Sequence, residues 1–280
     1  MFNGKALYQP KGKAGEYSAW AVNFYNGCSN GCSYCYLRKG VLSHVMGGNT
    51  PVLKSCFKDE TGALATFMKE VKKNRDAIRR DGGLLFSFST DPCLPETVDL
   101  TMMAVTYAVG MGIPCKILTK CTAWIFEPRK NPISKEERPY LDTLKAFSDF
   151  VSVGFTVTGR DDLEPGAAPT SERLFAMSQL HSAGIRTFAS IEPVIDPDLS
   201  FNLMSGMVKF CDHFKVGLQS GKKYSPEELG RIRIRASEFI RQGEGFTVYF
   251  KKSIQPYIGA EILADPKCVG ADFDIFKNQA

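Results

Sequence analysis

The sequence is poorest in what would tie it to a membrane or to the outside of a cell. Nowhere in its 280 residues does an apolar run approach the roughly 18 residues that crossing a bilayer requires. The opening stretch, MFNGKALYQPKGKAGEYSAW, has no apolar segment of the kind a secretory signal needs. Nine cysteines, an odd number at irregular spacing, do not form a disulfide framework. A reducing cytoplasm is therefore expected, where clustered cysteines hold metal. The three histidines, His44, His181 and His213, stand alone, so none has ligand spacing. No linker, low-complexity segment or domain break interrupts the chain, and a single domain over 1–280 is expected, with its core at about 18–255. The formal net charge of +5 is too small to imply nucleic acid by itself, and nothing resembles a standard nucleic-acid module.

What is there suits a soluble α/β protein. The chain is 44% apolar and 23% charged, and its length allows a sizeable core. Branched and aromatic runs over 18–27, 83–92, 113–120, 150–159, 185–195, 213–220 and 246–254 read as strands. Between them lie stretches of helical period. Over 62–80, Leu64, Phe67, Met68, Val71 and Ile78 share one face. Further helices are expected over 96–112, near 135–148, from about 171 with Thr170 or Ser171 as cap, near 198–210 and over 225–243. A short helix fits after the cysteines, and the tail is ambiguous. About six strand–helix units imply parallel strands joined by right-handed crossovers, hence an open or closed α/β barrel. Chemistry in barrels sits at the carboxyl ends of the strands. Five polar segments fall there: the cysteine loop, STDP (89–92), TK (119–120), TVTGR (156–160) and IEP (191–193).

The cysteine loop, NGCSNGCSYCYLR, places Cys28, Cys32 and Cys35 in a C-x3-C-x2-C pattern. Thiolates are soft ligands for iron–sulfur clusters and zinc. A cubane of four irons ordinarily takes four cysteines, so three leave one iron open, and an open position marks catalytic sites. Small residues around the cysteines let the backbone wrap a bulky group. Chance, buried thiols or a zinc site completed by a distant residue are the other readings.

CSNGCSYCY resembles the signature of the radical S-adenosylmethionine (SAM) superfamily, and STDP, ILTK (117–120), VSVGFTVTGRDDLEPGAAPTSERL (151–174) and IEPVI (191–195) resemble the subgroup that includes spore photoproduct lyase. Together these motifs cover roughly 18–255. The resemblance implies a partial (β/α)6 barrel and a 4Fe-4S cluster on Cys28, Cys32 and Cys35, with SAM chelating the open iron. It also implies reductive cleavage of SAM to a 5′-deoxyadenosyl radical that abstracts a hydrogen atom from substrate, and an external electron donor such as flavodoxin or ferredoxin. Tyr34 would lie near the adenine. The Gly-Gly-Glu stretch that many members use for the SAM amino group is replaced here by STDP, so Ser89, Thr90 and Asp91 are candidates for that role or for a plain turn. Lys120 could pair with the SAM carboxylate or be a solvated strand end. Thr156 and Thr158, on one face by alternation, are candidate SAM contacts. Arg173 could clamp a carboxylate or pair with Glu172 or Asp162 on the surface. Glu192 could hold ribose hydroxyls or an ammonium, or serve in a cap or ion pair.

Cys93 follows STDP at the expected mouth of the site. A hydrogen-atom donor, as the lyase's cysteine is, and a small packing residue are its two readings. Cys56, Cys115, Cys121, Cys211 and Cys268 read as packing residues. Basic residues over 69–80 and 231–241, with Lys251 and Lys252, could meet phosphates, although solvated helix faces explain them better. The substrate thus stays open between a nucleic-acid lesion and a peptide, protein or small molecule. A non-catalytic iron–sulfur or zinc protein is the third reading.

Overall fold

The computed structural model of the chain describes residues 1–130 and 137–277. Its helices form where the apolar period runs at 3.6 residues, and its strands where apolar residues are buried on one or both faces. The strands are β1 (Leu7–Tyr8), β2 (Ala21–Val22), β3 (Leu84–Phe86), β4 (Cys115–Thr119), β5 (Val151–Thr156), β6 (Arg186–Val194), β7 (His213–Leu218) and β8 (Thr247–Phe250). From β2 onward they alternate with α1 (Glu60–Arg80), α2 (Val98–Gly110), α3 (Tyr140–Ala146), α4 (Thr170–Ser182), α5 (Pro197–Met207) and α6 (Pro226–Ile240).

The sheet order follows the chain order from β1 to β8. Every neighbouring pair is parallel except β1 with β2. A sheet wound always in one direction curls toward a barrel. This one stays open, because no ladder joins β1 to β8 among the described residues. The expected six strand–helix units are therefore present, closed by a seventh parallel strand. β3, β5 and β7 are buried along their whole length, as strands covered on both faces must be.

Local chemistry sets the helix ends. Asp59 caps α1 by accepting from the Gly62 amide at 2.7 Å. Ser225 and Glu228 form a reciprocal capping box on α6. Neither expected cap of α4 serves as one. Thr170 is already its first helical residue, and the cap carboxylate is that of Asp161, nine positions earlier. It accepts from the Thr170 amide at 3.0 Å and the Thr170 hydroxyl at 2.6 Å. Of the helix expected near 135–148, the structure has Tyr140–Ala146. Positions 135–136 lie outside the described residues, and Glu137–Arg138 instead pairs with Arg129–Lys130. After the cysteines, two short 3-10 turns lead into a helical turn at Ser43–Met46. The ambiguous tail turns back under the barrel, where Phe273, Ile275 and Phe276 pack with Tyr17, Leu85 and Phe188.

Phe67 on α1 is fully buried and meets Phe24, Phe86 and Tyr107. It fastens the first helix to the strands on which the cysteine loop stands. Phe67→Ala is expected to lower unfolding free energy by about 3–5 kcal/mol in urea titration. A change under about 1 kcal/mol would mean that this packing is not a core contact.

Candidate functional site

The carboxyl ends of the parallel strands open into a cavity of about 430 Å³, within the usual range of roughly 300–1,000 Å³ for small-molecule sites. Cys28, Cys32 and Cys35 all line it. The loop that carries them is set by close backbone contacts. Gly27 has φ +82°, and a Cβ there would collide with the Thr50 carbonyl. Gly166 approaches so closely that a Cβ would collide with the Ser29 carbonyl. Backbone bonds complete the clamp: Cys28 N to Gly48 O at 3.0 Å, Ser33 N to Leu163 O at 2.9 Å, and Gly166 N to Asn30 O at 3.0 Å. The cysteine loop is thus held by the segment that follows β5.

A buried ion pair anchors that segment. The Arg173 side chain is wholly buried and donates to the Ala168 carbonyl at 2.7 Å, the Thr156 carbonyl at 2.6 Å, Asp161 at 3.3 Å and the Glu164 carboxylate. Glu164 in turn accepts from the Tyr34 hydroxyl. Arg173 therefore has neither of its expected positions. It does not line the cavity and it is not a surface residue. Its fork ties the end of β5 to the cysteine loop through Glu164 and Tyr34.

Asp91 organises the adjoining wall. Its carboxylate accepts from Thr119 Oγ1 at 2.6 Å, the Lys120 amide at 2.7 Å, Asn30 Nδ2 at 2.8 Å and the Cys93 amide at 3.0 Å. Four internal donors occupy it, although it lines the cavity. Thr90 lines the cavity too, and its hydroxyl is buried without a partner, which leaves an unmet hydrogen-bonding group beside the space a ligand would fill. Ser89 turns away and donates to the Tyr25 carbonyl at 2.5 Å. Thr156 lines the cavity. Thr158 does not, because β5 ends at Thr156 and the Thr158 hydroxyl accepts from the Arg160 amide at 3.2 Å. The alternation that would have put both on one face stops with the strand.

Of its two expected readings, Cys93 has the place of a packing residue. It is 2% exposed, belongs to the hydrophobic core and does not line the cavity. Its amide donates to Asp91 at 3.0 Å, and its side chain is buried in the core rather than set at a mouth. Burial pushes that thiol well above its usual range. All nine cysteines are free thiols.

Burial pushes the Cys28 thiol up to about 11 and raises Cys32 as well, while Lys120 pulls both down. Metal charge would reverse that shift and draw out the thiolates. For Lys120, burial acts downward but is outweighed by Cys32, Glu164 and Asp91, so its net shift is upward and it stays charged. Its Nζ lies 5.7 Å from the centre of the Tyr34 ring, which also lines the cavity. Among the described residues, no group of three or more His, Cys, Asp or Glu is gathered closely enough to hold a single metal ion.

A second network shares the cavity, joining the expected Glu192 to Lys251 and to Tyr17, which was missed in the sequence. Glu192 accepts from Tyr17 Oη at 2.8 Å and from Lys251 Nζ at 2.5 Å, and Tyr17 Oη also meets Ser190 Oγ at 2.6 Å. Lys251 is 1% exposed and stacks over the Tyr17 ring at 4.4 Å, so it is no surface contact for phosphate. Its position just after β8 matches that of Lys120 after β4, a signal that could have found it. Tyr17 precedes the first parallel strand and carries no such signal.

At the level of sequence, no family model and no curated protein matches the chain. Solved structures do. Spore photoproduct lyase complexed with a dinucleoside spore photoproduct superposes with a TM-score of 0.51 at 14% identity over 82% of this chain and 64% of the lyase. SuiB of Streptococcus suis, bound to its precursor peptide SuiA, gives 0.53 at 12% identity over 84% of this chain and 50% of SuiB. SuiB bound to S-adenosylmethionine gives 0.52 at 12% identity over 85% and 51%. The chain spans just under two thirds of the lyase and about half of SuiB. The chain thus shares the fold of spore photoproduct lyase and SuiB, an open and mostly parallel α/β barrel.

Breaking one partner of a buried ion pair costs about 3–5 kcal/mol. Arg173→Met is expected to lose that much stability in urea titration. Arg173→Lys, which lacks the two-pronged donor, should recover only part of it. Wild-type stability in Arg173→Met would remove Arg173 from the anchoring role.

Proposed function

We propose that the protein is a radical SAM enzyme, with a 4Fe-4S cluster on Cys28, Cys32 and Cys35 and S-adenosylmethionine in the cavity beside them. One observation carries this reading. Three free thiols on a single clamped loop line a cavity at the carboxyl ends of a parallel barrel. The donor set fits the group: three soft thiol ligands on one loop line one cavity, and burial raises the proton affinity of Cys28 and Cys32. When bound, the cluster and SAM together supply a 5′-deoxyadenosyl radical able to take a hydrogen atom from substrate.

The chain's own residues would do the rest. Lys120, held charged, is the partner for the SAM carboxylate. The unpartnered Thr90 hydroxyl and Thr156 offer polar contacts, and Glu192 offers a carboxylate already oriented by Tyr17 and Lys251. Tyr34 presents a ring against the adenine. Asp91, Ser89, Thr158 and Arg173 act as positioning residues, since internal partners occupy them. The electron would come from an external donor such as flavodoxin or ferredoxin, and a reducing cytoplasm suits the free thiols. Anaerobically reconstituted protein given dithionite and SAM is expected to release 5′-deoxyadenosine, and Cys32→Ala to release none. Cluster-loaded wild-type protein that leaves SAM intact, with and without candidate substrates, would defeat the enzyme reading.

For the substrate, the rim of the cavity is informative. Lys11 and Lys13 line it from the segment before β2, are exposed, and have no ion pair with a described residue. Two cations without a carboxylate partner, one of them Lys13 donating to Ser220 Oγ at 2.9 Å, favour an anionic substrate, and a nucleic-acid lesion is the reading that joins this rim to the lyase-like fold. Binding of a labelled, ultraviolet-irradiated oligonucleotide should then weaken with salt. Replacing each lysine by alanine should reduce the slope of log K against log salt by about 0.7 to 0.9. An unchanged slope in both variants would overturn it. It would then favour a peptide, the kind of molecule to which SuiB is bound.

A further inference from the structure

Below the cavity, on the floor of the barrel, is a second chamber. Its volume is about 10 Å³, room for one water-sized group. Lys116, His213 and Lys215 line it, with Leu85, Phe188 and Ile275 among its apolar walls and no carboxylate in the lining. Lys116 comes from β4, while His213 and Lys215 are alternate residues of β7 and so face the same side. The tail closes the chamber from below, with Phe273 stacked on the His213 ring at 4.7 Å.

A count of hydrogen bonds shows what the chamber lacks. Lys116 Nζ donates to the Gly82 carbonyl at 2.9 Å. Lys215 Nζ donates to the carbonyls of Glu16 at 3.0 Å and Tyr17 at 3.3 Å. Three donors on each ammonium leave two on Lys116 and one on Lys215 without a partner among the described residues. His213 Nδ1 pairs with Thr247 Oγ1 at 2.9 Å, but its Nε2 is buried with no partner, on a residue only 3% exposed. Asp274 acts on Lys116, and Glu16 and Glu192 act on Lys215, but none of these carboxylates lines the chamber, and buried cations that face one another across it are costly. We propose that this chamber binds a monatomic monovalent anion of the chloride or bromide class, held by Lys116 Nζ, Lys215 Nζ and His213 Nε2–H, in the tautomer whose Nδ1 accepts from the Thr247 hydroxyl. The site is separate from the cysteine cavity, yet Lys215 also holds the carbonyls of Glu16 and Tyr17. An anion there would therefore brace the root of the segment that carries Lys11, Lys13 and Tyr17 to the cavity.

The pH dependence follows from the groups around it. Lys116 and His213 face Lys215 from within the chamber, Lys251, Glu16 and Glu192 surround its other side, and Asp274 and Lys277 lie near Lys116. Burial, then neighbouring cations, holds Lys215 down at about 7, and burial holds Lys116 at about 8. A lysine depressed in the folded state destabilises the fold where it is protonated, below its folded value, and that cost fades as pH rises toward the unfolded value. An anion relieves the cost only while the lysines are charged. Halide stabilisation should therefore be greatest near pH 6 and weak near pH 9.

Crystals of the wild-type protein soaked in sodium bromide test this directly. An anomalous bromide peak in the chamber is expected. In solution, sodium bromide at pH 6 should raise the melting temperature above that in sodium gluconate of equal ionic strength, with a smaller difference at pH 9. His213→Phe, which keeps the stack on Phe273, should lose the difference. A chamber holding only non-anomalous water, or equal melting in the two salts at pH 6, would overturn the proposal. The wild-type crystal decides the matter if the variant does not fold.

Discussion

The buried bond between Arg173 and Glu164 is the contact on which the candidate site depends. Three thiols can serve one cluster only if the loop between them keeps its shape, and that loop has little secondary structure of its own. Its form comes from outside, through Tyr34 on Glu164, Ser33 on Leu163 and Asn30 on Gly166. All three partners belong to the segment after β5, and Arg173 pins that segment to the strand end at Thr156. A charged pair of this kind needs its remaining donors satisfied, and Arg173 finds them in the carbonyls of Ala168 and Thr156 and in Asp161. The same Asp161 caps α4, so helix, loop and thiols are set together.

Asp91 does for the β3 and β4 ends what Arg173 does for β5. By gathering Thr119, the Lys120 amide and Asn30, it fixes where the Lys120 ammonium can reach and couples the strand ends to the cysteine loop. Glu192 plays a third such part, joining β6, β8 and the N-terminal segment. The cavity wall is thus built from charged groups whose partners are mostly internal. Thr90, Lys120 and the thiols are what it leaves for a ligand.

Much of this was legible in the sequence. Strand and helix periods alternate clearly enough to fix a parallel barrel, because burial on both faces leaves long apolar runs and burial on one leaves a 3.6-residue stripe. The three cysteines declared themselves by spacing, and Lys120, Thr156 and Glu192 by their place at strand ends. The failures share a cause. Arg173, Ser89, Thr158 and Cys93 sit within a residue or a turn of a site position, where a small change of backbone direction decides between cavity and core. Sequence spacing does not encode that direction once the strand has ended. Glu164 and Tyr17 were missed because their importance comes from contacts with residues 130 and 175 positions away.

The claim beneath all of this is that Cys28, Cys32 and Cys35 share one four-iron cluster with an iron left open. Mössbauer spectroscopy of protein reconstituted with 57Fe, before and after SAM, tests it most directly. The expected result is a 4Fe-4S signal in which one iron becomes distinct when SAM is added and the other three stay unchanged. A spectrum of isolated iron sites, or a four-iron signal indifferent to SAM, would contradict it.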